Sequence, residues 1–243
     1  MIKRKATKKL LGIIGGMGPH ADALFLTKLH CSTYAKADFE YVPYVCDGNC
    51  LRPDRSAFIT GRSRCDPYPS LIRSLKGLER FGADVIAIPC NTAHAWMRRL
   101  AFCKRRGTLL LDMPSEAVRR CEALGLSTVC LLATNGTYSA DVYGEHFFRL
   151  GIDCVIPPKK VRTAVYALIS RIKAGGKTSL CELEPMLKDI PCDGFVLGCT
   201  ELSLALENTA APAYKYVDSL TALAEKAVKV FGKKLRQCPK SDP

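Results

Sequence analysis

Two cysteines of this chain stand in matched frames. Asp84-Val85-Ile86-Ala87-Ile88-Pro89-Cys90-Asn91-Thr92 and Asp193-Gly194-Phe195-Val196-Leu197-Gly198-Cys199-Thr200-Glu201 each run Asp, apolar stretch, turn residue, Cys, then polar residues suited to open a helix, with identical Asp-to-Cys spacing. A thiol after a buried strand and before a helix meets the positive end of the helix dipole, which lowers its pKa. One thiolate and one thiol on opposite sides of a carbon acid can take a proton from one face and deliver one to the other, in both directions. In a chain with 13 Cys, any one cysteine is more readily a small core hydrophobe. The repetition of the whole frame is what points to a facing pair.

Both frames need strands and helices to hold them. Short apolar runs alternate with longer amphipathic stretches, the pattern of βα units in parallel sheets. The runs predict strands over Leu10–Ile14, Tyr41–Cys46, Asp84–Ile88, Thr108–Leu111, Thr128–Leu132, Asp153–Ile156, Gly194–Leu197 and, more weakly, Ala213–Val217. Helical patterns cover Ala21–Ala35, Ser70–Phe81, Thr92–Arg105, Ser115–Leu124, Ala140–Leu150, Val161–Ala174 and Asp218–Phe231. A second correspondence, Leu11 to Gly18 (LGIIGGMG) with Val129 to Gly136 (VCLLATNG), again sets a strand before a loop of small or hydroxyl residues. The expected fold is α/β with two pseudo-symmetric lobes, each a parallel sheet flanked by helices. The N-terminal lobe spans 10–114 and the C-terminal lobe 115–217, with the last helix, about 218–231, returning to the first lobe. The active site belongs in the interlobe cleft, at the carboxyl ends of the strands.

Around the thiols, Asn91, Thr92 and Thr200 can donate hydrogen bonds from side chain and helix N-terminus to a developing anion, or serve simply as helix caps. Thr134 and Thr137 occupy the analogous loop of the second lobe, and Met17 and Gly18 bring backbone close to a ligand. His94, one turn after Cys90, is open to two readings, a Cys-His pair or a structural helix residue, and the second is favoured. Glu201 tunes the neighbouring thiol or complements the helix N-terminus. Cys46 and Cys50 lack a matching second pair, so a zinc site there is not expected.

Leu11-Gly12-Ile13-Ile14-Gly15-Gly16-Met17-Gly18-Pro19, Pro53-Asp54-Arg55, Pro89-Cys90-Asn91-Thr92-Ala93-His94, Ala133-Thr134-Asn135-Gly136-Thr137, Lys173-Ala174-Gly175 and Leu197-Gly198-Cys199-Thr200-Glu201-Leu202 resemble, in order, motifs of the aspartate/glutamate racemase family. The resemblance runs from about residue 10 to residue 231, and the two cysteine motifs are its specific part. It implies no pyridoxal phosphate or other cofactor, no metal, an amino acid held between the lobes, Cys90 and Cys199 as the acid/base pair, and usually a homodimer. By the same resemblance Arg55 and Lys173 engage the side-chain carboxylate of aspartate. Leu51 and Arg52 stand where the family commonly has Gln-Ile, and Ser56 replaces a common Thr, so substrate choice is open to change.

The formal charge of +13 invites a nucleic-acid or membrane reading. Most of it sits in basic tails, residues 1–9 with Lys3, Arg4, Lys5, Lys8 and Lys9, and 233–243 with Lys233, Lys234, Arg236 and Lys240. No RNP-like aromatic run, helix-turn-helix cue or zinc-finger spacing supports nucleic acid as a partner. The apolar run at Leu10 is broken by glycines and lacks a cleavage site, and no stretch suits a membrane span. The expectation is a cytoplasmic protein with reduced thiols, most of them small core hydrophobes. Gly16-Met17-Gly18-Pro19-His20-Ala21 formally fits a dinucleotide-binding turn, but the ribose-binding acid is misplaced: Asp38 and Glu40 precede the second strand and Asp47 comes late. Closer alternatives are a broad-specificity amino-acid racemase or a maleate isomerase, and the remaining class is a non-catalytic binding protein.

Overall fold

The computed structural model describes residues 9–236; the rest of the two basic tails lies outside them. Strands β1 (Leu11–Ile14), β2 (Tyr44–Asp47), β3 (Val85–Ala87) and β4 (Leu109–Leu110) form one sheet in the order β2-β1-β3-β4. Strands β5 (Thr128–Ala133), β6 (Asp153–Val155), β7 (Gly194–Gly198) and β8 (Tyr216–Asp218) form a second in the order β6-β5-β7-β8. Every pairing is parallel, with Leu11 opposite Val85 in the first sheet and Val129 opposite Gly194 in the second. The two sheets thus repeat one topology, and β3 and β7, the strands that lead to Cys90 and Cys199, occupy the same place in each.

Side-chain alternation explains why the central strands read as unbroken apolar runs. Leu11 and Ile13 of β1 join Val85 and Ala87 of β3 in one core, while Ile14 joins Ile86 and Ile88 in another on the opposite face. In the second sheet Cys130, Leu132, Phe195 and Leu197 face one core, and Val129, Leu131, Ala133 and Val196 the other. A parallel sheet covered on both faces has no polar side to show. Each fully buried Leu or Ile contributes about 1.5 to 3 kcal/mol.

The covering helices are α1 (Pro19–Ser32), α2 (Arg55–Ile59), α3 (Tyr68–Phe81), α4 (Met97–Cys103), α5 (Met113–Ala123), α6 (Asn135–Ser139), α7 (Gly144–Leu150), α8 (Lys159–Lys173), α9 (Glu184–Leu187), α10 (Thr200–Glu207) and α11 (Ser219–Val230). Helix α11 leaves the second sheet through β8 and buries Leu220, Leu223, Ala224 and Val228 against Leu11 of the first sheet and Phe25 and Leu29 of α1. Among the described residues no helix is long and apolar enough to cross a membrane.

The structure departs from the sequence reading in three places. The helix expected over 92–105 opens as a 3₁₀ turn, Thr92–Trp96, before α4. There the His94 ring takes the Cys90 carbonyl, and the His94 N–H turns to Asn91 O at 3.0 Å. The helix expected over 140–150 begins only at Gly144, as α7, after a turn at Asp141 with φ +46°, and a separate short helix, α6, precedes it at Asn135–Ser139. Most of the described cysteines are not core residues: Cys31 near the end of α1, Cys46 on β2, Cys50 and Cys65 on loops and Cys181 in a 3₁₀ turn are exposed, and only Cys90, Cys121, Cys130 and Cys199 are buried. All of these are free thiols.

Candidate active site

The loops after the four central strands converge. Met17 follows β1, Cys90 follows β3, Thr134 follows β5 and Cys199 follows β7. All four line one small cavity between the lobes, together with Arg55, Asn91, Thr92, Lys173 and Thr200 of the residues singled out from the sequence. About 20 Å³ of it is open to the centres of water molecules, room for roughly one. It adjoins a larger cleft of about 250 Å³, lined by Gly16, Gly18, His20 and Cys50, with Met17, Arg55 and Lys173 bordering both.

Both thiols are nearly closed off, Cys90 at 7% and Cys199 at 6% exposure. Cys199 is the N-cap residue of α10. Its thiol donates to Glu201 Oε2 at 2.9 Å. Burial and the Glu201 carboxylate push this thiol well above the ordinary range, against a smaller pull from Lys173. The helix N-terminus alone led to the opposite expectation, a lowered pKa; desolvation and a like-charged neighbour outweigh it.

The threonines join the lobes. Thr92 Oγ1 lies 3.0 Å from both Thr134 Oγ1 and Thr137 Oγ1, which are 3.1 Å from each other. Thr134 also caps α6, accepting from the Thr137 N–H at 3.2 Å, and Ser56 Oγ donates to it at 3.1 Å. Thr137 does not reach the cavity wall and touches it only through its hydrogen bonds to Thr92 and Thr134. The Asn91 side chain is largely committed: Nδ2 donates to Ser219 Oγ at 3.0 Å, and Oδ1 accepts from the buried Tyr143 hydroxyl. Thr134 therefore combines a cap with a place at the cavity, whereas the Asn91 side chain makes no cap hydrogen bond and the Thr92 and Thr200 hydroxyls meet side chains instead.

Arg55 opens α2 behind the cap Asp54, whose carboxylate accepts from the Ala57 N–H at 2.8 Å. Two of its guanidinium nitrogens donate to Pro53 O at 3.0 Å and Met17 O at 3.1 Å, while Nε is buried without a partner. Lys173, the last residue of α8, brings its ammonium to 3.8 Å from Glu201 Oε1. Burial opposes its charge, but the Glu201 carboxylate holds its pKa above the usual lysine value.

Arg52 does different work. Its buried guanidinium donates to Gly15 O at 2.9 Å, to Ser70 Oγ at 2.9 Å and to Asp47 Oδ2 at 3.0 Å, tying the glycine loop to β2 and α3. Asp22 pins the same loop by accepting from the Gly16 N–H at 2.5 Å. At Gly16, with φ +78°, a Cβ would fall 2.0 Å from Asn49 O, so the loop needs glycine there. Of the departures noted around Arg55, Ser56 alone reaches the inner cavity; Leu51 is 93% exposed.

His94 is structural. Its Nε2 accepts from the Met113 N–H at 3.1 Å, which assigns the proton to Nδ1, donating to Cys90 O at 2.9 Å. Burial holds its pKa below the ordinary value, although Asp112 pulls the other way. The ring is neutral and has no lone pair free for the Cys90 thiol. The sequence reading did not count Glu201, Asp54 and Ser56 among the ligand-contacting residues, yet all three line the cavity. Their adjacency to Cys199 and Arg55 was the available signal. Among the described residues no three His, Cys, Asp or Glu side chains gather as a metal-ligand set.

Known proteins share this fold. The chain is similar to Picrophilus torridus aspartate racemase, at 31% identity and a TM-score of 0.82 over 94% of this chain and 96% of that one. It is 25% identical over 232 residues to the broad specificity amino-acid racemase RacX of Bacillus subtilis (strain 168), spanning 91% of this chain and 98% of RacX. A glutamate racemase of Francisella tularensis in complex with D-glutamate shares the fold, at 18% identity and a TM-score of 0.68 over 93% of this chain and 81% of that one. The sequence profile of the Asp/Glu/hydantoin racemase family matches residues 14–227. The chain belongs to this family and is an isomerase, an amino-acid racemase.

Proposed function

We propose that the protein interconverts the enantiomers of an acidic amino acid, aspartate and/or glutamate, by two-cysteine proton transfer without a cofactor. The observation that carries this is one cavity lined by both thiols, Cys90 and Cys199, and by two cations, Arg55 and Lys173. In one direction the Cys90 thiolate removes the α-proton while the Cys199 thiol delivers its proton to the opposite face; the reverse direction exchanges the roles. Between the two transfers the α-carboxylate carries the developing negative charge. Thr92, Thr134 and Thr200, with the backbone N–H groups opening α10, supply donors near it in a water-poor site, where they contribute more than they would in water. Arg55 and Lys173 take the side-chain carboxylate. An acidic amino acid fills more than the inner cavity, so its binding draws on the adjoining cleft, with Arg55 and Lys173 at the junction.

The likeness to a broad specificity racemase favours a second reading, turnover of neutral amino acids as well. A homodimer in the cytoplasm is proposed on the family resemblance, and sedimentation tests the first part. The deciding experiment incubates purified protein, free of pyridoxal phosphate and treated with chelator, with each L-amino acid in deuterated water, followed by chiral analysis. Rapid formation of deuterated D-aspartate or D-glutamate is expected. Turnover confined to neutral amino acids, or dependent on an added cofactor, contradicts the proposal.

A further inference from the structure

Glu201 is a buried carboxylate in the wall of a cavity proposed to bind a dicarboxylic acid. Its side chain is 4% exposed and borders both the inner cavity and the outer cleft. One oxygen is occupied: Oε2 accepts from the Cys199 thiol at 2.9 Å and lies 3.4 Å from Thr200 Oγ1. The other, Oε1, is buried without a hydrogen-bond partner, its nearest cation being Lys173 Nζ at 3.8 Å. The cavity's other carboxylate, Asp54, is engaged as the cap of α2. A buried acceptor left open costs about 1 to 3 kcal/mol, so its persistence calls for an occupant.

The wall thus offers a free acceptor on Glu201 and a free donor on Arg55, whose Nε is also unpartnered. An acidic amino acid is complementary to that pair. Its two carboxylates need donors, which Arg55, Lys173 and the threonines provide. Its α-ammonium has three N–H donors and no acceptor and sits one bond from the reacting carbon, so its anionic partner must lie close to the thiols. Glu201 Oε1 belongs to the carboxylate that touches the Cys199 sulfur, so a nitrogen bound there sets the α-carbon beside that thiol. The glycine loop closes the same spot: a Cβ at Gly18 would fall 2.7 Å from Oε1.

We infer that Glu201 Oε1 is the receptor for the substrate α-ammonium and so distinguishes amino acids from other dicarboxylates. This rests on the acidic amino-acid reading above. The contact keeps the ammonium protonated beside the carbon that must lose its proton, and its electron withdrawal makes the α-hydrogen more acidic. Gly18 admits the carboxylate to this position because it has no side chain.

The test is calorimetric binding to the full chain, wild type against Glu201→Gln, of L-aspartate and succinate, which share both carboxylates and differ in the amine; L-glutamate and glutarate form a second pair. Glu201→Gln should weaken the amino acid roughly 10- to 100-fold, the loss expected for one charged hydrogen bond. The diacid should bind the variant as well as the wild type or more tightly. Gly18→Ala, which crowds Oε1 without altering its charge, should likewise weaken the amino acid more than the diacid. Retained diacid binding shows that each variant keeps its fold. Equal weakening of both ligands, or an unchanged amino-acid affinity in Glu201→Gln, overturns the inference and leaves the racemase reading standing. Wild-type protein that binds neither ligand of either pair overturns both.

Discussion

The Cys199 thiol hydrogen-bonds to the Glu201 carboxylate at 2.9 Å, with both side chains buried between the lobes. Burial first, and then the neighbouring Glu201 carboxylate, raise the Cys199 pKa and favour the protonated thiol. Removing that charge brings the thiol down: Glu201→Gln should shift the Cys199 titration toward the ordinary thiol range. Thiolate absorbance followed against pH, as the difference between proteins with and without Cys199, reads this directly. An unmoved titration would mean that burial alone sets the pKa.

Two arginines three residues apart should fail differently. Arg52 is an internal strut, so Arg52→Ala leaves the Gly15 and Ser70 acceptors unpaired and should cost about 3 kcal/mol of stability. Arg55→Ala should cost little stability and instead weaken aspartate by on the order of 2 kcal/mol in kcat/KM while sparing alanine. Urea unfolding and steady-state kinetics on the two variants separate the roles. Equal losses for aspartate and alanine in Arg55→Ala would show that this residue does not read the side chain.

His94 should reveal itself through acid stability rather than catalysis. Its pKa is lowered in the folded protein from an ordinary 6.5, so the folded state binds fewer protons than the unfolded chain. Its contribution is therefore present above about pH 6.5 and lost as the pH falls toward the folded value. His94→Ala should lower stability at neutral pH by on the order of 2 kcal/mol, since it strands the Met113 N–H, and should flatten the loss between neutral and mildly acid pH. Denaturant titrations across that range give the comparison. An unchanged acid slope in the variant would rule out this role.

How much of this was legible in the sequence differs between chain and site. All eight strands coincide with apolar runs in the sequence, and for the central strands β1, β3, β5 and β7 the reason is that a doubly covered parallel sheet writes continuous hydrophobicity into the chain, whereas the edge strands β2, β4 and β6 are partly exposed. The matched frames at Cys90 and Cys199 carried the topological repeat. The short helices α2, α6 and α9 were missed, since segments of four or five residues show no periodicity of their own and two of these are held by the caps Asp54 and Thr134. Arg52 read as a substrate-facing departure, because nothing local reveals that its guanidinium turns inward to Gly15. Glu201 read as a residue that tunes the neighbouring thiol or complements the helix N-terminus, and its hydrogen bond to Cys199 fits the first reading; only the meeting of α10, α8 and the glycine loop shows its second oxygen to be open.

The central claim is that Cys90 and Cys199 serve opposite faces of one α-carbon, and α-proton exchange in deuterated water with the two single alanine variants tests it most directly. Neither variant should interconvert aspartate. Each should show at most slow α-exchange confined to one enantiomer, with opposite preferences in Cys90→Ala and Cys199→Ala, and the double variant should show none. A single variant that still racemises at near wild-type rate would make that cysteine structural and contradict the two-thiol mechanism.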